Sequence, residues 1–337
     1  MKNHQKIIGC LLGGAAGDAL GYAVEFDRES TIFARYGTLG IRKYALIDGK
    51  AIFSDDTQMT LFTAEGILLA EDPYNEQAYI SGMYQAYREW LYTQEKACKV
   101  AKKIWLTDIP ELNEKRAPGI TCLNALRSGV LGSISEPINH SKGCGGVMRV
   151  APIGLFYSLE KRSIDDIDWM GAQTAALTHG HPLGYIPAAG LVHIVNRAMY
   201  RPEMNLFQII NDMIEIVPAL FMDEYPEDSR VFETLMKKAV DLAETDISDL
   251  NAIHQLGEGW VGEEALAIAV FCALKHRDNF DEALISAVNH NGDSDSTGAI
   301  TGNILGTYLG IEGIPEKYIS NLELKEILEK VANRLMK

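Results

Sequence analysis

The sequence predicts an all-α fold: a single large many-helix domain over residues 1–337, with at most a short β-hairpin. Three observations lead there. Apolar residues recur at helical spacing through almost the whole chain, only residues 39–53 read as strand-like, and no Pro/Gly/Ser-rich linker or charge block divides the 337 residues. Hydrophobic residues make up 47% and charged residues 23%, a balance that lets a chain of this length bury one large core.

Candidate helices run over residues 5–22, 57–71, 75–95, 119–131, 145–158, 165–178, 182–200, 205–222, 228–244, 262–276, 279–289, 296–309 and 321–336. The first carries Gly9, Gly13, Gly14, Ala15, Ala16, Gly17, Ala19 and Gly21. Each glycine costs about 1 kcal/mol of helix propensity, so this helix is expected at the centre with its neighbours packed close. Asp18 and Glu25 emerge near its end. Two roles stay open for Asp18, a buried acid bonded to a neighbouring helix terminus and a catalytic group. Residues 39–53 are expected to form a hairpin turning at Asp48-Gly49. In the helix after it, Met59, Phe62, Thr63, Gly66 and Leu69 or Ala70 share a face, and Ser54-Asp55-Asp56-Thr57 places acids at the positive end of its dipole. Helix 296–309 follows the same plan, with Ile300, Ile304, Tyr308 and Leu309 as its apolar stripe and Asp293 and Asp295 at its start.

A net charge of −15 and a pI near 5.0 argue against a nucleic-acid or anionic-membrane partner, both of which need a basic footprint. The five cysteines, at 10, 98, 122, 144 and 272, are odd in number and include no C-x-x-C pair, which points to a reducing compartment. The N-terminus resembles a signal peptide, with Lys2 and Lys6 before an apolar stretch and Ile8-Gly9-Cys10 like a lipobox, but Asp18 interrupts the run. No stretch reaches the ~18 apolar residues of a membrane span. A cytoplasmic location is expected.

The stretch from Asn289 to Gly298 is the densest in chemistry. An EF-hand loop fits its opening acids but needs a glutamate where Ile304 stands. The D-x-D-x-T nucleophile motif of haloacid-dehalogenase-type phosphatases belongs after a buried strand near the start of a domain, whereas Asn289-His290-Asn291-Gly292 precede this one. A helix N-terminus remains, and two carboxylates flanked by hydroxyls go beyond a cap and point to a hard cation with oxygen ligands. An all-oxygen site recruits more than one segment, and the Ser54–Thr57 stretch is the second. The four charges of Asp55, Asp56, Asp293 and Asp295 would be balanced by two divalent ions.

Together these residues resemble the ADP-ribosylglycohydrolase family, which includes ADP-ribosylarginine hydrolases and dinitrogenase reductase-activating glycohydrolases. The matching pieces are GGAAGDALGYAVEF at 13–26, FSDDTQMT at 53–60, SKGCGGVMRVAPIGL at 141–155, THGHPLG at 178–184, GEGWVGEEAL at 257–266 and HNGDSDSTGAITGNILG at 290–306. The resemblance implies an all-α fold holding two Mg2+ or Mn2+ ions and cleaving the bond between ADP-ribose and a protein side chain. By motif match the metal ligands would be Ser54, Asp55, Asp56, Asp293, Asp295 and Ser296, with a serine at 296 where the family usually has threonine. The catalytic set would be Glu25, Asp55 and Asp56, with Glu25 or Asp56 as acid or base.

The segment Ser141, Gly143, Gly145, Gly146 and Met148 resembles the loop that takes the diphosphate. Glycines let backbone N–H groups reach phosphate oxygens, although a Gly-rich helix crossing has the same composition. Arg149 is expected to pair with a buried acid rather than with phosphate, and Cys144 has no histidine placed to activate it. His179, from a His-x-His pair with His181, would contact ribose or phosphate, and Trp260 would form a stacking platform unless it is simply core.

The leading expectation is hydrolysis of arginine-linked ADP-ribose, the Ser-Asp-Asp-Thr form of the first motif resembling the arginine-cleaving members slightly more than the serine-cleaving ones. The expected partners are ADP-ribosylated protein and ADP-ribose. The alternatives are serine-linked or O-acetyl-ADP-ribose substrates, and an immunity protein that blocks an ADP-ribosyltransferase toxin. Selectivity is expected from acids beside the scissile bond, with Glu25 and the stretch Asp108–Glu114 as candidates.

Overall fold

The computed structural model describes residues 2–98, 100–101 and 103–336. The first half of the chain forms α1 (Lys2–Gly21), α2 (Glu29–Tyr36), α3 (Asp55–Leu69), α4 (Glu76–Gln94), α5 (Ile120–Arg127), α6 (Ala151–Phe156) and α7 (Ile164–Ala176). There follow α8 (Pro182–Tyr200), α9 (Leu206–Phe221), α10 (Pro226–Ala243), α11 (Asp249–Leu256), α12 (Gly262–Lys275), α13 (Phe280–Val288), α14 (Ser294–Leu309), α15 (Glu316–Ile319) and α16 (Lys325–Leu335). No strand occurs among the described residues, and the fold is all-α as expected.

The expected hairpin is absent. Asp48 and Gly49 do form a turn, with φ of 49° and 78°, and Ile47 bridges Lys50. Pairing stops there because Ala51 turns to another segment: its N–H donates to Asn321 O (2.8 Å) and its carbonyl accepts from Glu323 N (3.0 Å). The expected helix 145–158 is divided into a 3₁₀ turn, Cys144–Gly146, and α6. The short helices α2, α11 and α15 fall outside the expected set.

The glycines of α1 have a clear structural use. A Cβ on Gly9 would lie 2.2 Å from Gly306 O, on Gly13 2.5 Å from Gly302 O, on Gly17 1.9 Å from Gly298 O and on Gly21 2.1 Å from Ser294 O. Every fourth residue of α1 therefore meets every fourth residue of α14, running antiparallel, with backbones too close for any side chain. The consequence is positional: the C-terminal end of α1 lies against the N-terminal end of α14. α8, buried from Leu183 to Met199, packs against α6, α7, α9, α12 and α14. No described helix is long and apolar enough to cross a membrane.

Candidate active site

Two helix starts meet beside the end of α1. Ser54 caps α3, its Oγ accepting from Asp56 N (3.2 Å), and Asp293 caps α14, accepting from Ser296 N. Asp18, fully buried, ties the first of these to α1. Its carboxylate accepts from Ser54 N (2.8 Å), Thr57 N (2.9 Å) and Thr57 Oγ1 (2.5 Å). Asp18 thus takes the structural role, bonded to a neighbouring helix terminus, and burial still pushes it up to about 6 against those hydrogen bonds.

The loop after α1 brings Glu25 over the same spot and is pinned where α2 begins, Glu29 N donating to Asn291 Oδ1 (2.9 Å). The preceding turn of the acid loop depends on Gly292, at φ 137°, where a Cβ would lie 1.9 Å from Glu258 O. Asp293 N donates to that carbonyl (2.9 Å). Carboxylate oxygens of Glu25, Asp293 and Asp295 come within 4.8 Å of one another. With Asp55 and Asp56 they line a cavity of about 210 Å³, and among the described residues no lysine or arginine lines it.

Crowded, desolvated acids hold their protons. Burial, then Asp295, Asp55 and Asp18, pushes Glu25 up to about 10. Burial, then neighbouring carboxylates, holds Asp56 and Asp295 well above the usual range. Burial does the same to Asp55, although Gly119 N donates to its Oδ2 (3.0 Å). Glu25 Oε2 and Asp56 Oδ2 are buried without any hydrogen-bond partner. Such orphaned oxygens in a polyacidic, cation-free cavity are the donor set of a hard divalent ion, so the residues fit the metal that the sequence implies.

The structure distributes the remaining expected residues unequally. Gly143, Gly145, Met148, His179, Trp260 and Ser296 line the cavity. Ser54 and Ser141 stand behind its wall, Ser141 Oγ bonding Thr121 Oγ1 (3.1 Å) and accepting from Gly143 N (3.3 Å). Gly146 faces away, a Cβ there lying 2.5 Å from Gly184 O on α8, so at this position the glycine serves helix packing. Trp260 is 42% exposed and not core; its carbonyl accepts from Cys144 N (3.2 Å), which with Gly262 N to Lys142 O (2.8 Å) fastens the glycine loop to the Trp260 loop. The Cys144 thiol donates to Asp293 Oδ2 (2.7 Å), and burial followed by Asp293 raises it well above its usual value, which leaves no thiolate nucleophile. The phosphatase reading of the Asp293 motif fails because no strand precedes it.

Residues 117–122 form a wall that the sequence reading missed: Ala117, Gly119, Ile120, Thr121 and Cys122 line the cavity. Their only signal is Ala117-Pro118-Gly119 before a short helix, with no charge to mark it. Asp108–Glu114 line neither this cavity nor its neighbour; they lie in 3₁₀ turns, with Glu114 O accepting from Gln58 Nε2 (3.0 Å). The neighbouring cleft, about 490 Å³, shares Glu25 and Trp260 with the first and is lined by Phe26, Asp27, Arg28 and Glu258.

The all-α fold seats five carboxylates around one cavity, beside a glycine loop and an exposed indole, an arrangement suited to metal-assisted hydrolysis. The chain belongs to the ADP-ribosylglycohydrolase family, whose model matches residues 1–337. Its activity class is therefore hydrolysis of ADP-ribose conjugates. It is similar to the ADP-ribosylhydrolase ARH3 of Mus musculus, at 25% identity over 97% of this chain and 90% of that one. The ADP-ribosylhydrolase ARH1 of Dictyostelium discoideum is 25% identical over 99% and 94%. The ADP-ribosyl-(dinitrogen reductase) glycohydrolase of Rhodospirillum rubrum is 25% identical over 96% and 92%. A solved structure titled ADP-ribosylglycohydrolase-related protein complex shares the fold, with a TM-score of 0.65, 22% identity and coverage of 99% and 98%.

Proposed function

We propose that this chain, acting as one domain over residues 1–337, releases ADP-ribose from modified arginine side chains at a site holding two Mg2+ or Mn2+ ions. The observation that carries the metal reading is the buried, unpartnered Asp56 Oδ2 in a cavity of five carboxylates; the other unpartnered oxygen there, Glu25 Oε2, is left for proton transfer. Asp55 and Asp56 from α3 and Asp293, Asp295 and Ser296 from α14 would hold the ions, with Ser54 contributing from behind. Bound there, divalent ions supply charge neutralisation and Lewis acidity toward ribose hydroxyls and water.

The protein's own groups do the rest. Gly143, Gly145 and His179 take the diphosphate, and Trp260 offers a flat face to a ring. Among the described residues, Glu25 is the only carboxylate that lines both the inner cavity and the outer cleft. It therefore stands between the ribose and the departing side chain, where Oε2 can give a proton to the leaving nitrogen and accept one from the attacking water. Asp56 lies on the inner side alone, which favours Glu25 as the acid and base.

The outer cleft supports arginine as the preferred linkage. Phe26 is 75% exposed there and stands with Trp260, Asp27, Arg28 and Glu258 around the space beyond Glu25; Asp27 pairs with Arg35 (2.7 Å), so Glu25 and Glu258 are the acids that outweigh Arg28. A guanidinium stacks on aromatic faces and pairs with carboxylates, whereas a serine ether does neither. The five cysteines are free, in keeping with a reducing, cytoplasmic setting. The test is incubation with arginine- and serine-ADP-ribosylated protein, with and without Mg2+, following free ADP-ribose. Faster release from arginine at low salt, narrowing as salt screens the cleft acids, is expected. Equal release from both linkages would remove the arginine preference, and release in excess EDTA would remove the metal.

A further inference from the structure

Arg149 is one of the largest side chains wholly withdrawn from solvent, and the anion expected beside it is missing. Its Nη1 donates to Cys122 Sγ (3.2 Å) and Met59 Sδ (3.6 Å), and its Nη2 to Thr178 Oγ1 (2.6 Å) and Thr174 O (3.4 Å). The guanidinium lies over the Tyr87 ring at 4.3 Å, and Nε has no partner. None of these groups is an acid. A buried charge without a counter-ion is costly, so its position one side chain behind the cavity wall, against Cys122 and next to His179, calls for a use.

The use follows from the Thr178 hydroxyl. One lone pair of Oγ1 is taken by Arg149, and its single hydrogen has three possible acceptors: Ala175 O at 3.4 Å, His179 Nδ1 at 2.8 Å, and the Cys122 sulfur, a weak acceptor that already accepts from Arg149 Nη1. Ala175 O already accepts from Thr178 N and His179 N, each at 3.0 Å, so a third, long bond to it is poor. The guanidinium also polarises the hydroxyl toward donation and disfavours a proton on the facing Nδ1. The hydrogen therefore goes to Nδ1, and the imidazole proton sits on Nε2. That nitrogen is on the cavity side: a Cβ at Gly143 or at Gly145 would lie 3.4 Å from it. Burial and then Arg149 lower His179 to about 3, so the ring presents a neutral N–H across the physiological range.

We propose that Arg149 and Thr178 are positioning residues that hold His179 in its Nε2–H tautomer, aiming a cation-backed donor at the ligand's phosphates. The phosphate part rests on the reading of this cavity as an ADP-ribose site; the tautomer part stands without it.

The experiment uses the full-length protein labelled with 15N in histidine, with His179 assigned through His179→Gln, together with calorimetry of ADP-ribose and of adenosine, which lacks the diphosphate. The parent is expected to show a protonated Nε2 and a bare Nδ1. Thr178→Val should move protonation toward Nδ1 and weaken ADP-ribose at least tenfold while leaving adenosine unchanged, and Thr178→Ser should restore both. Arg149→Met should act in the same direction; if it fails to fold, the Thr178 pair still decides. A parent with Nδ1 protonated overturns the proposal, as does a Thr178→Val protein that keeps either the parent tautomer or the parent affinity. A parent that binds no ADP-ribose refutes the assignment of the cavity instead, and the nitrogen shifts still judge the relay.

Discussion

Replacing Asp295 by asparagine should make the metal-free protein more stable and the enzyme inactive. Carboxylate oxygens of Asp295, Asp293 and Glu25 lie within 4.8 Å of one another. Two unit charges at that distance repel by about 3.5 kcal/mol at an effective dielectric of about 20. Proton uptake by Glu25 and by Asp295 itself relieves this repulsion, but at the cost of holding protons above their usual range; an amide avoids that cost, so the gain is about 1–3 kcal/mol. Asparagine keeps the oxygen that accepts from Ser296 N (3.0 Å), so no cap contact is lost. At about 2.1 cal/mol/K of unfolding entropy per residue, a chain of this size converts the gain into a Tm rise of roughly 1–4 °C. The assay is thermal unfolding in EDTA and again in Mg2+. In Mg2+ the gap should close or reverse, because a ligand at a hundredfold over its Kd adds about 2.7 kcal/mol to the parent and little to the variant. An Asp295→Asn protein less stable than the parent in EDTA, or equal Mg2+ stabilisation of both, would refute the electrostatic account.

Glu25→Gln should lower kcat by about 10²–10⁴-fold while ADP-ribose affinity by calorimetry stays near the parent's; an unchanged kcat would remove Glu25 from the proton transfer. Gly145→Val should fold and bind ADP-ribose at least ~10-fold more weakly, about 1.4 kcal/mol, whereas Gly146→Val should lose stability instead, since its side chain meets the backbone of α8. Gly17→Ala forces a methyl to 1.9 Å from Gly298 O and should cost about 1–3 kcal/mol or more by urea midpoint; a parent-like midpoint would sink the glycine seam. Burial alone would lower the His193 imidazole, but Asp168 at Nδ1 (2.7 Å) and Asp212 at Nε2 (3.1 Å) raise it overall. A raised value in the fold means that stability is fully present below the unfolded value near pH 6.5 and is lost as pH climbs through the folded one. His193→Gln should therefore flatten the decline of stability above about pH 6.5, and parallel urea-midpoint curves for parent and variant across that range would contradict it.

The all-α class and both acidic helix starts were legible in the sequence because helical spacing and dipole-complementary acids are local patterns. The glycine run of α1 announced close packing, but its partner was out of reach: nothing local says that Gly17 meets Gly298. The turn at Asp48-Gly49 formed without its hairpin, since Ala51 bonds residues some 270 positions away, a choice made by tertiary packing. Within the site, charged and glycine-rich segments were visible while the Ala117–Cys122 wall was not, because it carries no charge to mark it. Gly145 and Gly146 look alike in sequence, yet one faces the cavity and the other faces α8. Arg149 was expected beside an acid and instead contacts thiol, thioether, hydroxyl and ring, an arrangement no linear pattern encodes. The acids that line the outer cleft are Glu25, Asp27 and Glu258, and Asp108–Glu114 do not reach it, which depends on where loops converge.

The central claim, that the acids of α3 and α14 together hold two divalent ions at an ADP-ribose-cleaving centre, is tested most directly by anomalous diffraction from crystals soaked in Mn2+. Two peaks between Asp55 and Asp56 on one side and Asp293 and Asp295 on the other are predicted, both disappearing in Asp295→Asn. An empty cavity at saturating Mn2+, or peaks bound to other residues, would contradict it.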